Sequence, residues 1–247
     1  MENQEKVNYI YGMHPVLEAI NAGKNIDKVY LKSGLEGESF RQLLSLMQSK
    51  GIAFQFVPVQ RLDRITKARH QGVIAQLPSI EYSTLEQAVE YASSNGGLIL
   101  VLDGVSDVRN FGAIARSAEC AGFKSIILPA KGGASITPDS IKTSAGALLR
   151  LNVCKVPNIR TALYYLKERE YTIVSASEKG SKLIYDVDFS KPVAIVMGDE
   201  HNGVSDSALK LSDEIAAIPM AGGIGSLNVS VASAIVMYEV VRQRRNA

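Results

Sequence analysis

Thiols and imidazoles are scarce in this chain. Its two cysteines, Cys120 and Cys154, lie far apart and without CxxC spacing. They are expected to be buried free thiols of a protein kept in a reducing compartment, not a disulfide framework. Three histidines, none paired at metal-ligand spacing, leave no zinc pattern, so no metal is expected. Long apolar runs are missing too. "GGLILVL" and "PVAIVMG" are too short to span a bilayer and suit buried strands. The chain opens with no charged, apolar and small-residue signal layout, which makes a cytoplasmic protein without a membrane partner the expectation. No GxxxxGK[ST] loop occurs and no GxGxxG follows a strand, which argues against nucleoside triphosphates and nicotinamide cofactors. "GIGSL" is not a GxSxG elbow, and His201 with Asp199 is too thin a set to make Ser226 a hydrolase nucleophile.

Net charge is small, +2, until the chain is divided. Residues 1–80 carry ten Lys/Arg against seven Asp/Glu, whereas residues 81–247 carry seventeen against eighteen. The excess concentrates in "RLDRITKARHQG", with Arg61, Arg64, Lys67, Arg69 and His70 inside ten residues. That run suits either a solvated helix face or a phosphate-binding footprint of the kind that supplies sequence-independent RNA affinity. The terminal "RQRR" suits a cationic helix end.

Two alternating α/β blocks meet near Pro78, giving expected domains 1–80 and 81–247. The first alternates helix ("GMHPVLEAINAG"), strand ("DKVYLK"), helix ("ESFRQLLSLMQSKG"), strand ("AFQFVP"), a basic helix and a strand ("GVIAQL"). Leu43, Leu44 and Met47 form an apolar helical face, and Gly51 is a natural stop. "PSIEYS" connects the blocks, and Thr84 with Gln87 has the spacing of a capping box. The second block carries strands at "LILVLD", "SIILPA", "VCKV", "TIVSAS", "VAIVMG" and "IAAIPM", several of them separated by helices. Such a pattern implies a parallel sheet covered on both faces, where ligands bind beyond the carboxyl ends of strands.

Three of those strands end in unusual loops: "DGVSDVRNFG", "GDEHNG" and "PMAGGIGSLN". Together they offer backbone amides, Glu200, Arg116, Asn110 and Asn228. That set suits a flat heteroaromatic ligand held against backbone while an arginine grips phosphate. Arg116 lies in a helix whose Ala113, Ile114, Ser117, Ala118 and Ala121 recur at buried-face spacing, a costly setting for an idle cation. Asn110 and Ser226 could alternatively be plain helix caps. The last helix is apolar nearly all round through Val229, Val231, Ala232, Ala234, Ile235, Val236 and Met237, so it is expected to be buried on most sides, which suits helix contact with a second subunit; a central helix of a monomer is the alternative.

"LDGVSDVRNFGAIARSAECAGFKSIILP", "IVMGDEHNGVSD" and "IPMAGGIGSLNVSVASAIVMYEVVRQ" closely resemble the three ordered motifs of the SpoU/TrmH branch of SPOUT-class RNA methyltransferases. The first block, from "IYGMHPVLEAI" to "HQGVIAQL", is similar to their substrate-binding domain, which is folded like a ribosomal protein. The whole order looks most like the RlmB type, the 23S rRNA guanosine 2'-O-methyltransferases. The resemblance implies a small N-terminal α/β domain that binds RNA, and a C-terminal parallel-sheet domain with a deep trefoil knot. It further implies S-adenosylmethionine as donor and a homodimer. It assigns the donor to Met197, Gly198, Ile218, Met220 and Leu227, where small residues would let adenine approach backbone. It places Asn110, Arg116, Glu200, Ser226 and Asn228 in the catalytic pocket, and leaves Arg61, Arg64, Arg69 and His70 as RNA contacts. Two stretches depart from the usual pattern: His201-Asn202 after Glu200, and "GALLRLNV" at 146–153. A tRNA ribose methyltransferase, a resistance-type rRNA enzyme and a non-catalytic RNA-binding relative are the alternatives. The family's tRNA guanosine enzymes generally lack such an N-terminal domain, which favours rRNA.

Overall fold

The computed structural model describes residues 9–77, 82–200 and 202–245. The chain forms two compact units, Met1–Glu81 with Ser135–Pro138, and Tyr82–Ala134 with Asp139–Ala247. The junction expected near Pro78 lies outside the described residues.

The first unit runs β1 (Tyr9–Tyr11), α1 (Met13–Asn21), β2 (Lys28–Lys32), α2 (Glu38–Ser49), β3 (Phe54–Val57), α3 (Val59–Ile65) and β4 (Val73–Gln76). Its sheet has the order β1-β4-β2-β3, with only β2 and β3 parallel. Alternation along β2 sends Val29 and Leu31 to one face, where they join Val73 and Ala75. The apolar sides of α1 (Val16, Ile20) and α2 (Leu43, Met47) cover that face. On the other face α3 packs Leu62 and Ile65 against Tyr9, Tyr30, Val57 and Ile74. Gly51 follows α2 with φ +65, the left-handed stop expected of it. Strand β1 was not expected, because three residues are too few to show a period.

The basic run is not one helix. Helix α3 ends at Ile65, so Arg61 and Arg64 ride on it, whereas Lys67 and Arg69 project from the loop before β4. Arg61 also sits over the Tyr30 ring, 5.5 Å from its centroid.

The second unit runs α4 (Leu85–Ser93), β5 (Leu98–Asp103), α5 (Val108–Cys120), β6 (Ser125–Pro129), α6 (Pro138–Thr143), β7 (Asn152–Val156), α7 (Ile159–Glu168), β8 (Thr172–Ala176) and β9 (Lys182–Leu183). It continues through β10 (Val193–Gly198), α8 (Asp206–Leu209), β11 (Glu214–Ala217) and α9 (Val229–Arg245). The seven strands lie in the order β7-β6-β5-β10-β8-β11-β9, and every neighbouring pair is parallel. Strand β10 is buried along its whole length between β5 and β8, as its uninterrupted apolar run requires. Parallel pairing puts the loops after β5, β8, β10 and β11 at one end of the sheet. Thr84 and Gln87 form the expected capping box on α4.

Three expectations need correction. Cys120 is exposed at the end of α5, and only Cys154 is buried, where desolvation pushes its thiol up to about 12. The buried face of α5 consists of Phe111, Gly112, Ile114, Ala115 and Ala118; Ala113 and Ser117 are half-buried and Arg116 is exposed. Within its own chain, helix α9 is not enclosed on all sides. Val229, Val236, Met237 and Val240 are buried, but Val231 and Tyr238 are about half exposed, at 48% and 51%.

The basic end of α9 is internally engaged. Arg244 donates from Nε to the Phe189 carbonyl (2.9 Å) and from Nη2 to that of Lys191 (2.6 Å). Arg242 grips the buried Glu239 through two hydrogen bonds of 2.8 and 2.7 Å, and Gln243 adds a third of 2.8 Å. The Arg242 hydrogen bond, against the opposing push of burial, holds the Glu239 carboxyl below its ordinary value. A depressed folded-state pKa contributes stability that is present above the unfolded glutamate value and lost as pH falls through the folded one. Glu239→Gln is therefore expected to lower the urea midpoint at neutral pH, with the deficit shrinking below about pH 4. A deficit independent of pH would show that only packing changed.

Candidate active site

The carboxyl ends of β8, β10 and β11, with the start of α9, frame a cavity of about 330 Å³. Met197 and Gly198 contribute the end of β10, and Ile218, Met220, Ser226 and Leu227 come from the segment between β11 and α9. All five residues expected to hold the donor thus line one cavity, together with Glu200 and Ser226. The loop after β8 supplies a wall that the sequence reading missed, including Glu178 and Lys179. Its signal was available: "SEKG" is a polar loop at the carboxyl end of a parallel strand. Among the described residues, Glu178, Asp199 and Glu200 outnumber Lys179, the one cation in the lining.

Gly198 is a glycine for a reason other than ligand access. A Cβ there would stand 2.0 Å from the Gly203 carbonyl carbon and 2.2 Å from the Val204 nitrogen. The chain's own backbone occupies that space, because the loop folds back on itself. Asp199 and Gly203 exchange backbone hydrogen bonds of 3.3 and 3.2 Å, and Asp199 Oδ1 accepts from the Asn202 N–H at 2.6 Å. Asp103, at the end of β5, accepts from Ser205 N–H at 2.9 Å and ties this loop to the neighbouring strand. His201, one half of the departure after Glu200, lies outside the described residues.

Beside the cavity, side chains from three loops meet. Asp107 caps α5, accepting from the N–H groups of Arg109 and Asn110 at 2.9 and 2.8 Å. Asn110 is therefore not the cap, and its side chain is free for other partners. Its Nδ2 donates to Glu200 Oε1, and its Oδ1 accepts from Asn228 Nδ2 at 3.2 Å. Asn228, not Ser226, caps α9, accepting from Ser230 N–H at 2.9 Å.

Arg116 joins neither group. It lies six residues along α5 from Asn110, about 9 Å in rise, and lines no part of the cavity. It is exposed and makes no ion pair among the described residues. Gly112, between the two, lets α6 lie against α5: a Cβ would be 2.7 Å from that of Thr143 and 2.8 Å from the Ser140 oxygen. In the first unit, Arg61, Arg64 and Arg69 are exposed, but His70 is not a free cation. Its Nε2 bonds Asp63 Oδ1 at 3.0 Å and its Nδ1 accepts from Gly72 N–H at 3.1 Å, so both ring nitrogens are spent on the loop.

Comparison with known proteins matches residues 97–238 to the SpoU rRNA methylase family and residues 9–83 to the RNA 2'-O ribose methyltransferase substrate-binding family. A putative TrmH family tRNA/rRNA methyltransferase of Staphylococcus haemolyticus is 33% identical over 237 residues, 95% of each chain. The TrmH/SpoU tRNA modifying enzyme of A. aeolicus is 31% identical, covering 66% of this chain and 85% of its own, with a TM-score of 0.57. The fold is shared with the SpoU methyltransferase AviRb of Streptomyces viridochromogenes, solved with AdoMet (24% identity, 97% and 91% coverage, TM-score 0.63). A parallel sheet with its cavity at the strand ends, a separate N-terminal unit and both family matches agree, and this chain belongs to the SpoU rRNA methylase family.

Proposed function

We propose that this protein transfers a methyl group from S-adenosylmethionine to the ribose 2'-hydroxyl of a guanosine in 23S rRNA. Family membership supports the coarser statement, an RNA ribose 2'-O-methyltransferase. The observation that carries the site is the junction of the strand-end cavity with the Asn110–Glu200–Asn228 cluster. The cavity's size is within the usual range for small ligands, roughly 300–1,000 Å³. Its apolar Met197, Ile218, Met220 and Leu227 suit a purine, and its acidic excess suits a donor carrying a permanent positive charge.

The donor, when bound, supplies an electrophilic methyl carbon on a sulfonium. The ribose oxygen would take up that carbon as the carbon–sulfur electron pair stays with sulfur, and the hydroxyl proton would pass to solvent water. In-line placement supplies much of the rate, and Glu200, oriented by Asn110, with Ser226 at the cavity wall would hold the ribose. A guanidinium is a donor with no lone pair to spare for a proton, so Arg116 acts by gripping the target phosphate and favouring the developing oxyanion.

The first unit would select RNA through Arg61, Arg64 and Arg69, and the second would hold the donor and dimerise, with the implied knot part of the same reading. Half-exposed Val231 and Tyr238 on α9 support a second copy of this chain as partner. Ribosomal RNA is favoured because the tRNA-modifying neighbour matches only 66% of this chain, whereas this chain also carries a match to the substrate-binding family at residues 9–83. Incubating the protein with methyl-labelled S-adenosylmethionine and separate pools of unmodified rRNA and tRNA, followed by ribose-methylation mapping, tests this. One protected guanosine in 23S rRNA is the expected result. Label in tRNA alone would make it a tRNA enzyme, and no label with intact RNA binding would make it a non-catalytic relative.

A further inference from the structure

The hydrogen bonds around Asn228 have a direction that the α9 backbone dictates. Ser230 aims two donors at Asn228 Oδ1, its backbone N–H at 2.9 Å and its hydroxyl at 2.5 Å. A backbone N–H can only donate, so the amide oxygen of Asn228 must face it and Nδ2 must face the other way. There Nδ2 donates to Asn110 Oδ1 at 3.2 Å, which in turn turns Asn110 Nδ2 toward Glu200 Oε1. Flipping either amide would set like groups against each other at both of its ends. The orientation of Glu200 is thereby determined three hydrogen-bond links away, at the first turn of α9.

We infer that Ser230 is a positioning residue for methyl transfer, orienting Glu200 through Asn228 and Asn110. This rests on the proposed function for its catalytic consequence, and on the hydrogen-bond chain for its structure. The backbone N–H alone leaves Asn228 with one donor; the hydroxyl is the second, and it locks the amide plane. Ser230 lines no part of the cavity, so donor binding does not depend on it directly.

Ser230→Ala is expected to lower kcat about ten-fold, the scale of one lost hydrogen bond to an oriented group, while KM for RNA and calorimetric affinity for S-adenosylmethionine stay within about two-fold. Ser230→Thr, which keeps the hydroxyl, restores the rate. In an Asn110→Ala background, where the chain is already cut, Ser230→Ala adds nothing further. A merely structural serine would instead cost the same in both backgrounds. Independently of activity, Ser230→Ala should shift the side-chain amide NMR signals of Asn110 as well as those of Asn228. An unchanged kcat, equal losses in both backgrounds, or an unmoved Asn110 signal overturns the inference. A wild-type chain that binds the donor yet methylates no RNA defeats the proposed function instead, and the amide signals then decide the relay alone.

Discussion

Arg116→Ala is expected to reduce methyl transfer by about 10²–10³-fold, the scale seen when a preorganised charge at a developing oxyanion is removed, with folding and donor binding intact. The side chain is exposed, so its truncation leaves no cavity and no stranded partner. A loss of this size could not come from stability. Arg116→Lys should recover only part of the rate, because a point charge replaces a planar fork. Near-normal activity in Arg116→Ala would remove the residue from the mechanism. The same residue tests the assembly. It does not line its own chain's cavity, and in a two-fold dimer a residue near the axis reaches the partner's site as readily. Gly225→Trp is a suitable second variant, since Gly225 lines the cavity and a Cβ there meets nothing within 4 Å. Each variant alone should be inactive. Mixed and reassembled, they should recover up to about a quarter of wild-type activity if Arg116 serves the partner's site, since half of randomly paired dimers are mixed and each has one good site of two. Confirmed heterodimers without activity would place Arg116 beside its own chain's donor.

Gly198→Ala should abolish donor binding and lower Tm by several degrees, an outcome out of proportion to one methyl group. The added carbon would stand 2.0 Å from backbone carbon of Gly203, which no rotamer change relieves. Relief requires moving the 199–203 turn, and with it Glu200 and the cavity wall. Overpacking against backbone typically costs about 1–3 kcal/mol, and here it falls on the loop that carries the site. Gly225→Ala, in open space, is the control and should bind the donor normally. Normal binding by Gly198→Ala would mean the turn is looser than its contacts indicate.

Several features of this protein were legible without coordinates. Apolar runs bounded by glycine and polar clusters marked β5, β6, β8 and β10, because strands buried on both faces favour apolar side chains and admit a polar one only with a hydrogen-bond partner, as Ser125 and Ser175 have. The Thr84–Gln87 spacing marked a helix start, because capping is a local event between residues three apart. Through resemblance and not through composition, the ordered motifs also pointed to Met197, Gly198, Ile218, Met220 and Leu227 in the cavity lining, but not to the wall formed by Glu178 and Lys179.

Other features depended on contacts between segments distant in sequence. Strand β1 exists because β4 pairs with it, not because three residues prefer to be extended. Gly198 invited a ligand-based explanation until the fold put Gly203 against it. His70 belonged to a basic run on the sequence, but Asp63 and Gly72 claim both of its nitrogens. Arg116 seemed committed to a buried helix, yet the 3.6-residue period turns it outward, away from the face formed by Phe111, Ala115 and Ala118. The path from Ser230 to Glu200 was beyond reach from sequence, because hydrogen-bond direction depends on which atoms meet across loops 90 or more residues apart. Local pattern and propensity settle the elements; which polar atoms face one another, and so what the site can do, is settled only when the sheet brings its loops to one end.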